Sequence, residues 1–166
     1  MDNCGKADLR AITSEALTLL KNDRSAAGVS RALALYRQAA EANYGPALYN
    51  LGSMYFNGIG VERDYNEALK WFYKAAEQGD IDAMFNIAYI ADRGYLGSQD
   101  LALAFVWYQK AAQGGSARGQ YDLAAMYHHG RGIDIDMASA IYWYQKAVEG
   151  GVPRAQINLD ELNRQS

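Results

Sequence analysis

The sequence lacks most of what braces small proteins covalently or anchors them in membranes. It has one cysteine, Cys4, so no internal disulfide can form and packing alone must hold the fold. No apolar run approaches the ~20 residues that a helix needs to cross a bilayer. The segment Met1 to Lys6 has no basic start followed by a hydrophobic stretch, and the expectation is therefore a cytoplasmic protein. The alternative is a periplasmic or lipid-anchored protein whose signal peptide has been trimmed, with Cys4 as the lipid-bearing residue. Asp2 and Asn3 before it are unlike the small residues of a lipoprotein cleavage site. An excess of positive charge is also missing. A net charge of -3 and a pI near 5.3 argue against a nucleic-acid partner held by phosphate neutralisation.

Half of the residues are apolar and 21% are charged, which suits a packed fold and excludes disorder. A chain of 166 residues fits one compact domain or four to five units of a repeat. The repeat is visible. Trp71, Trp107 and Trp143 lie 36 residues apart, and Ala68, Ala104 and Ala140, Lys74, Lys110 and Lys146, Asp64, Asp100 and Asp136 keep the same step. Gly58, Gly94 and Gly130 do so as well, as do Gly79, Gly115 and Gly151, and Leu51, Ile87, Leu123 and Leu159. So many residue types in one phase mark an array of equal units.

Each unit reads as two helices. The first runs from about Pro46 to Asn57, with proline in the first turn, where its missing N–H costs nothing. Leu48, Leu51, Gly52 and Tyr55 share one face, and Gly58 is a left-handed stop. Asp64 is the next N-cap, and Glu67 three residues later completes the pattern of a capping box. The second helix turns Ala68, Trp71, Phe72, Ala75 and Ala76 inward and ends at Gly79, with the tryptophans expected to fill the gaps between helix pairs. The expected division is a single domain. It comprises a divergent N-terminal unit over 8–45, full repeats over 46–81, 82–117 and 118–153, and a capping helix over 154–166. Asp8 to Lys21 reads as a helix and Asn22 to Gly28 as a polar loop.

The string from Ala47 through Leu51, Gly52, Tyr55, Gly58, Gly60, Val61 and Asp64, then Ala68, Trp71, Phe72, Lys74, Ala75, Ala76, Glu77, Gln78 and Gly79, resembles a Sel-1-like repeat, a branch of the tetratricopeptide superfamily. The resemblance covers about Ser30 to Leu162. It implies an all-α fold, a right-handed α-α superhelix (solenoid) of antiparallel helix pairs, whose first helices line a concave face. It also implies a protein-interaction role: adaptors, scaffolds, host-factor binders and partners of secreted effectors, including immunity proteins that neutralise a bacterial toxin. The chain departs from the pattern at Leu96 (where Gly60 and Gly132 stand), at Ala91 (for Tyr55 and Tyr127) and at Gly119. A differently shaped loop is expected at Tyr95 to Ser98. The paired cysteines of the cysteine-rich secreted relatives are absent, which separates the chain from that subgroup and from the β-lactam binding suggested for it.

If the first helices line a groove, Tyr49, Ser53 and Phe56 face it, and their counterparts are Phe85, Tyr89 and Asp92, then Tyr121, Ala125 and His128, then Ile157 and Glu161. Tyr49, Phe85, Tyr121 and Ile157 form a column that is either an anchor strip for a partner or packing against the next helix. Arg93, Tyr95, His129 and Arg131 join the candidates because they depart from the repeat. The two histidines, His128 and His129, are adjacent, so their side chains diverge by ~100° and do not readily grip one metal. No catalytic residues, metal ligands or cofactor are expected, because no nucleophile elbow or phosphate loop occurs. The three periodic aspartates read as caps, and the lysine row as a solvated face. The expectation is a non-enzymatic protein that binds another protein, with no membrane span, as a monomer or weak homo-oligomer. A toxin-neutralising role is the narrower alternative. A hydrolase of a cell-wall or antibiotic substrate and a purely structural tandem element are the others.

Overall fold

The computed structural model describes residues 3–165, and the side chains of all of these but 3, 4, 6 and 165. Cys4, the candidate lipid-bearing thiol, lies outside the described side chains. Among the described residues there are nine helices and no strand. They group into two compact units that meet in sequence between Asp80 and Ile81. The first holds α1 (Asn3–Asn22), α2 (Ala26–Glu41), α3 (Gly45–Asn57) and α4 (Tyr65–Glu77). The second holds α5 (Ile81–Arg93), α6 (Leu101–Gln113), α7 (Ala117–His129), α8 (Met137–Glu149) and α9 (Pro153–Gln165). Within each unit every helix packs on its neighbour in the chain, and the short connections make neighbours antiparallel.

The joints repeat because their hydrogen bonds do. Asp64 accepts from the N–H groups of Asn66 and Glu67 at 2.9 and 3.1 Å, Asp100 from Leu103 at 2.9 Å, and Asp136 from Ser139 at 3.1 Å. The caps' own N–H groups donate to first-helix carbonyls, those of Tyr55, Ala91 and Tyr127, at 3.0, 3.0 and 3.1 Å. This corrects the capping box. The Asp64 N–H is already used, and the Glu67 carboxylate instead accepts from Lys70 at 3.2 Å. At the helix ends Gly58, Gly94 and Gly130 hold φ of 69°, 66° and 65°. Asn43, at the position of Gly79, has φ 59°. Asparagine tolerates that region better than other residues with a Cβ, and the Gln78 amide holds it by donating to the Asn43 carbonyl and side-chain oxygens at 3.0 and 3.1 Å.

The core differs from the expectation at the tryptophans. The ring sealed inside each second helix is the residue after the tryptophan: Phe72, Tyr108 and Tyr144, with Tyr36 in α2, all at most 1% exposed. Trp71, Trp107 and Trp143 are half-buried. Lys74 sits 4.7 Å from the Trp71 ring centroid and Lys110 3.9 Å from that of Trp107, so the lysines three residues on cover the outer faces of the indoles. That geometry follows from helical spacing and cation–π attraction. The third lysine, Lys146, pairs with Glu149 at 2.7 Å.

The N-terminal loop is shorter than expected. α2 starts at Ala26 behind the cap Ser25, whose hydroxyl accepts from the Gly28 N–H at 3.1 Å. Gly28 is therefore a helix residue. A Cβ there would lie 2.5 Å from Asp23, which explains a glycine in a first turn. In the loop between α5 and α6 the positive φ that Gly60 and Gly132 adopt moves to Gly97, at 115°, one residue beyond Leu96. The chain thus avoids a left-handed leucine.

The inversion of tryptophan and its neighbour is measurable. Phe72→Ala is expected to cost ~3–5 kcal/mol, the range for emptying a sealed aromatic site, and Trp71→Ala clearly less. Urea denaturation of the two variants checks the order, and the reverse order would return the tryptophan to the centre of the core.

Candidate functional site

In the first unit, α3 carries Tyr49, Ser53 and Phe56, all half-buried. The Tyr49 ring leans on Phe72, with centroids 5.9 Å apart, and Phe56 meets Tyr65 at 5.5 Å and Phe72 at 6.4 Å. One side of each aromatic belongs to the packing of α3 on α4.

The second unit holds the richer face. Phe85 repeats the Tyr49 contact by leaning on Tyr108 at 5.6 Å, and Tyr121 leans on Tyr144 at 5.7 Å. The tilts are alike, 41°, 53° and 57° along the three pairs. The aromatic column is therefore first a packing device. Phe85 is 7% exposed, stacked on Tyr89 at 6.0 Å and covered by the Arg118 guanidinium at 4.5 Å. It offers no open anchor, contrary to expectation. Ile157, last in the column, is 58% exposed. Asp92 is 6% exposed and ion-paired with Arg131, which follows α7, so it too is closed. Its backbone carbonyl accepts from Gln99 at 2.8 Å. Tyr89 remains half-buried, with Arg93 over its ring at 5.1 Å and Tyr95 edge-on at 5.9 Å. Arg93 and Tyr95 are exposed.

His128 and His129 do not diverge as expected. Their rings stack with centroids 4.2 Å apart and an interplanar angle of 19°, because side-chain torsions can undo the ~100° backbone offset. His128 also stands edge-on to Tyr144 at 6.1 Å. Burial, then the neighbouring His129, push its pKa below the ordinary range against the pull of Glu161. Among the described residues no group of three metal-ligating side chains comes together.

Arginines join the first helices to one another. Arg118 of α7 pairs with Asp82 of α5 at 2.9 Å, and Arg131 reaches Asp92. From α9, Asn158 donates to the Tyr144 hydroxyl at 3.0 Å and approaches that of Tyr121 at 3.5 Å.

Asp122 was missed in the sequence. It occupies the position of Asn50, Asn86 and Asn158 in the 36-residue step. Asp122 and Tyr108 are thus the counterparts of Asn158 and Tyr144, and the buried Tyr108 hydroxyl has no hydrogen-bond partner. Burial, and then the negative charge of Asp92, push the Asp122 carboxyl up to about 6, with Arg93, Arg131 and Arg118 opposing. The Tyr108 phenol is pushed far above its ordinary range, first by burial and then by Asp122 and Asp92. The readable signal was one acid in a column of amides.

Four segments, 29–44, 45–80, 81–116 and 117–152, match the Sel1 repeat. No curated protein matches the chain. Among solved structures, c5321, a protective antigen present in uropathogenic Escherichia coli strains and displaying an SLR fold, is 30% identical with a TM-score of 0.86; the match covers 95% of this chain and 34% of that one. A Sel1 repeat protein from Oxalobacter formigenes is 31% identical with a TM-score of 0.83, covering 97% of this chain and 66% of that one. Helicobacter pylori cysteine rich protein B, at 19% identity and a TM-score of 0.60 over 76% of this chain and 94% of that one, shares the fold. The chain thus spans about a third of the first relative and 66% of the second. With its helix pairs, its repeated joints and these matches, the chain belongs to the Sel1 repeat family, whose members are generally protein-interaction modules.

Proposed function

We propose that the chain binds another protein along the face of its first helices, chiefly α5, α7 and α9 of the second unit, with Tyr49, Ser53 and Phe56 of α3 as the equivalent positions of the first. One observation carries this reading. Within a single chain the caps, stops and buried rings recur at every step, while the first-helix face changes. Ser53, Phe56 and Asn57 become Tyr89, Asp92 and Arg93, and then Ala125, His128 and His129. A framework held constant under a varied face is the organisation of a recognition surface on a repeat protein. Exposed aromatic and arginine side chains such as Tyr95 and Arg93 are the residue types that dominate protein interfaces.

Asp122 supports the same reading. A carboxyl held near 6 in the fold, above the ordinary aspartate range, opposes folding at neutral pH. Residues that cost stability concentrate at functional sites. Its folded pKa lies above its unfolded one, so the native state binds more protons between those values. The stability Asp122 contributes is present at low pH and is lost as the pH rises through about 6.

Two outcomes follow. Asp122→Asn, which restores the repeat's own residue, should raise stability at pH 7 by on the order of 2 kcal/mol and flatten the fall in stability from pH 4 to 6; denaturant titrations across pH check this. Combined Tyr89→Asp, Arg93→Glu and His128→Glu should leave the helical circular dichroism intact and abolish retention of whatever protein co-purifies stoichiometrically with the wild type. Undiminished retention of that protein would remove the binding face from α5 and α7.

A further inference from the structure

We propose that His128 is a proton-driven switch in the binding face: as a neutral ring it packs inward against Tyr144 and His129, and as a cation it turns outward toward Glu161 of α9. The inference rests on the binding role proposed above and adds its regulation.

The array shows both kinds of occupant at this position. In the 36-residue step it is held in turn by Phe56, Asp92 and His128. Phe56 is an apolar ring 6.4 Å from the ring of Phe72. Asp92 is an acid, 6% exposed and held by the guanidinium of Arg131. His128 sits as Phe56 does, half-buried and 6.1 Å from the ring of Tyr144. Unlike phenylalanine it gains a charge within the physiological pH range. A charge at this position needs what Asp92 has, an ion of opposite sign.

The inward place suits only the neutral ring. Its Nδ1 is buried and has no hydrogen-bond partner. A protonated imidazole carries N–H on both nitrogens, so protonation in place leaves a buried charged donor unmet, at a cost. One face of the ring is taken by His129, stacked at 4.2 Å and 19°, and two charged rings at that distance repel. Burial, then His129, oppose the proton on His128, and Glu161, an exposed residue, favours it. The packed state therefore contributes stability above the ordinary histidine range, and that contribution is lost as the pH falls through the depressed titration of His128. The other titratable groups here are Tyr144 of α8 and, bearing on its phenol, Tyr121 and Asp122 of α7. The swing itself needs only rotation about side-chain torsions. It replaces a flat uncharged pair of rings with a cation, so a partner fitted to the neutral face is released as the pH falls.

The test follows the full chain, with histidine and tyrosine ring carbons labelled, by NMR from about pH 8 to 5. At the upper end nuclear Overhauser effects should join the His128 ring to those of His129 and Tyr144. They should vanish as His128 titrates, at a pH below that of a histidine in a peptide. Glu161→Gln should move that titration lower, and His129→Ala higher. Because Asp122 itself titrates near 6, Asp122→Asn separates the two, and there the contacts should still vanish in step with His128. Retention of the protein that co-purifies with the wild type should drop several-fold over the same range, and His128→Phe, which does not titrate, should remove that drop. Contacts that survive protonation of His128, or a titration indifferent to both Glu161→Gln and His129→Ala, would overturn the switch. Contacts that break while retention stays level, or a drop that persists in His128→Phe, would overturn its hold on binding. If the switch fails while the Tyr89, Arg93 and His128 variant still loses its partner, the binding face stands without it. If the rings part but no protein depends on the face, the switch stands and the proposed function falls.

Discussion

Everything on the first-helix face rests on one contact, the ring of each second helix pressed against a small residue of the first. Phe72 lies so close to Gly52 that an added Cβ would stand 2.8 Å from the ring and 3.2 Å from the Ala68 carbonyl. Tyr108 and Tyr144 make the equivalent cores with Ala88 and Ala124. Close packing at a small residue fixes the distance between helices. That distance fixes where Tyr49, Phe85 and Tyr121 come to rest, leaning on the same rings at 5.6 to 5.9 Å. The face is thus a secondary product of the core, and the side chains beyond these aromatics are free to differ.

Much of the fold was legible because a repeat writes each constraint several times. The aspartate caps and the glycine stops follow from local chemistry, the one offering an acceptor to free N–H groups and the other a backbone without Cβ, and both sit where their spacing puts them. The tryptophan was misleading for a physical reason. Periodicity reports that a position is constrained, and an indole half-covered by a lysine is as constrained as a sealed ring. Phe72, with Tyr36, Tyr108 and Tyr144 in the same register, was the position to weigh more heavily. Gly28 was misread because its reason is an approach of Asp23 that no spacing reveals, and Glu67 because the N–H it would have bonded is taken by Tyr55.

The site was less legible, since its members come together only after the helices pack. Asp92 and Arg131, or Asp82 and Arg118, are separated in sequence by a full unit or more, and nothing local couples them. The aromatic positions drew attention instead, and Phe85 turned out to be closed. Asp122 alone shows in the sequence, as the odd member of a column of asparagines.

An orphaned hydroxyl does not by itself mark a site. Tyr36 also lacks a partner, with Asn50 turned to the Pro46 carbonyl at 2.7 Å. What sets Tyr108 apart is the coincidence of two local conflicts. The same chain uses Phe72 at that position, which would leave no orphan, and Asn158 opposite it, which would satisfy one. It has neither there, but a hydroxyl without a partner and, at the position of the amide, an acid, beside a second buried acid already paired. A sequence optimised only for folding resolves such conflicts with the residues it uses elsewhere. Asp122 therefore stands out as the one step of the array at which the amide used at Asn50, Asn86 and Asn158 gives way to a charge.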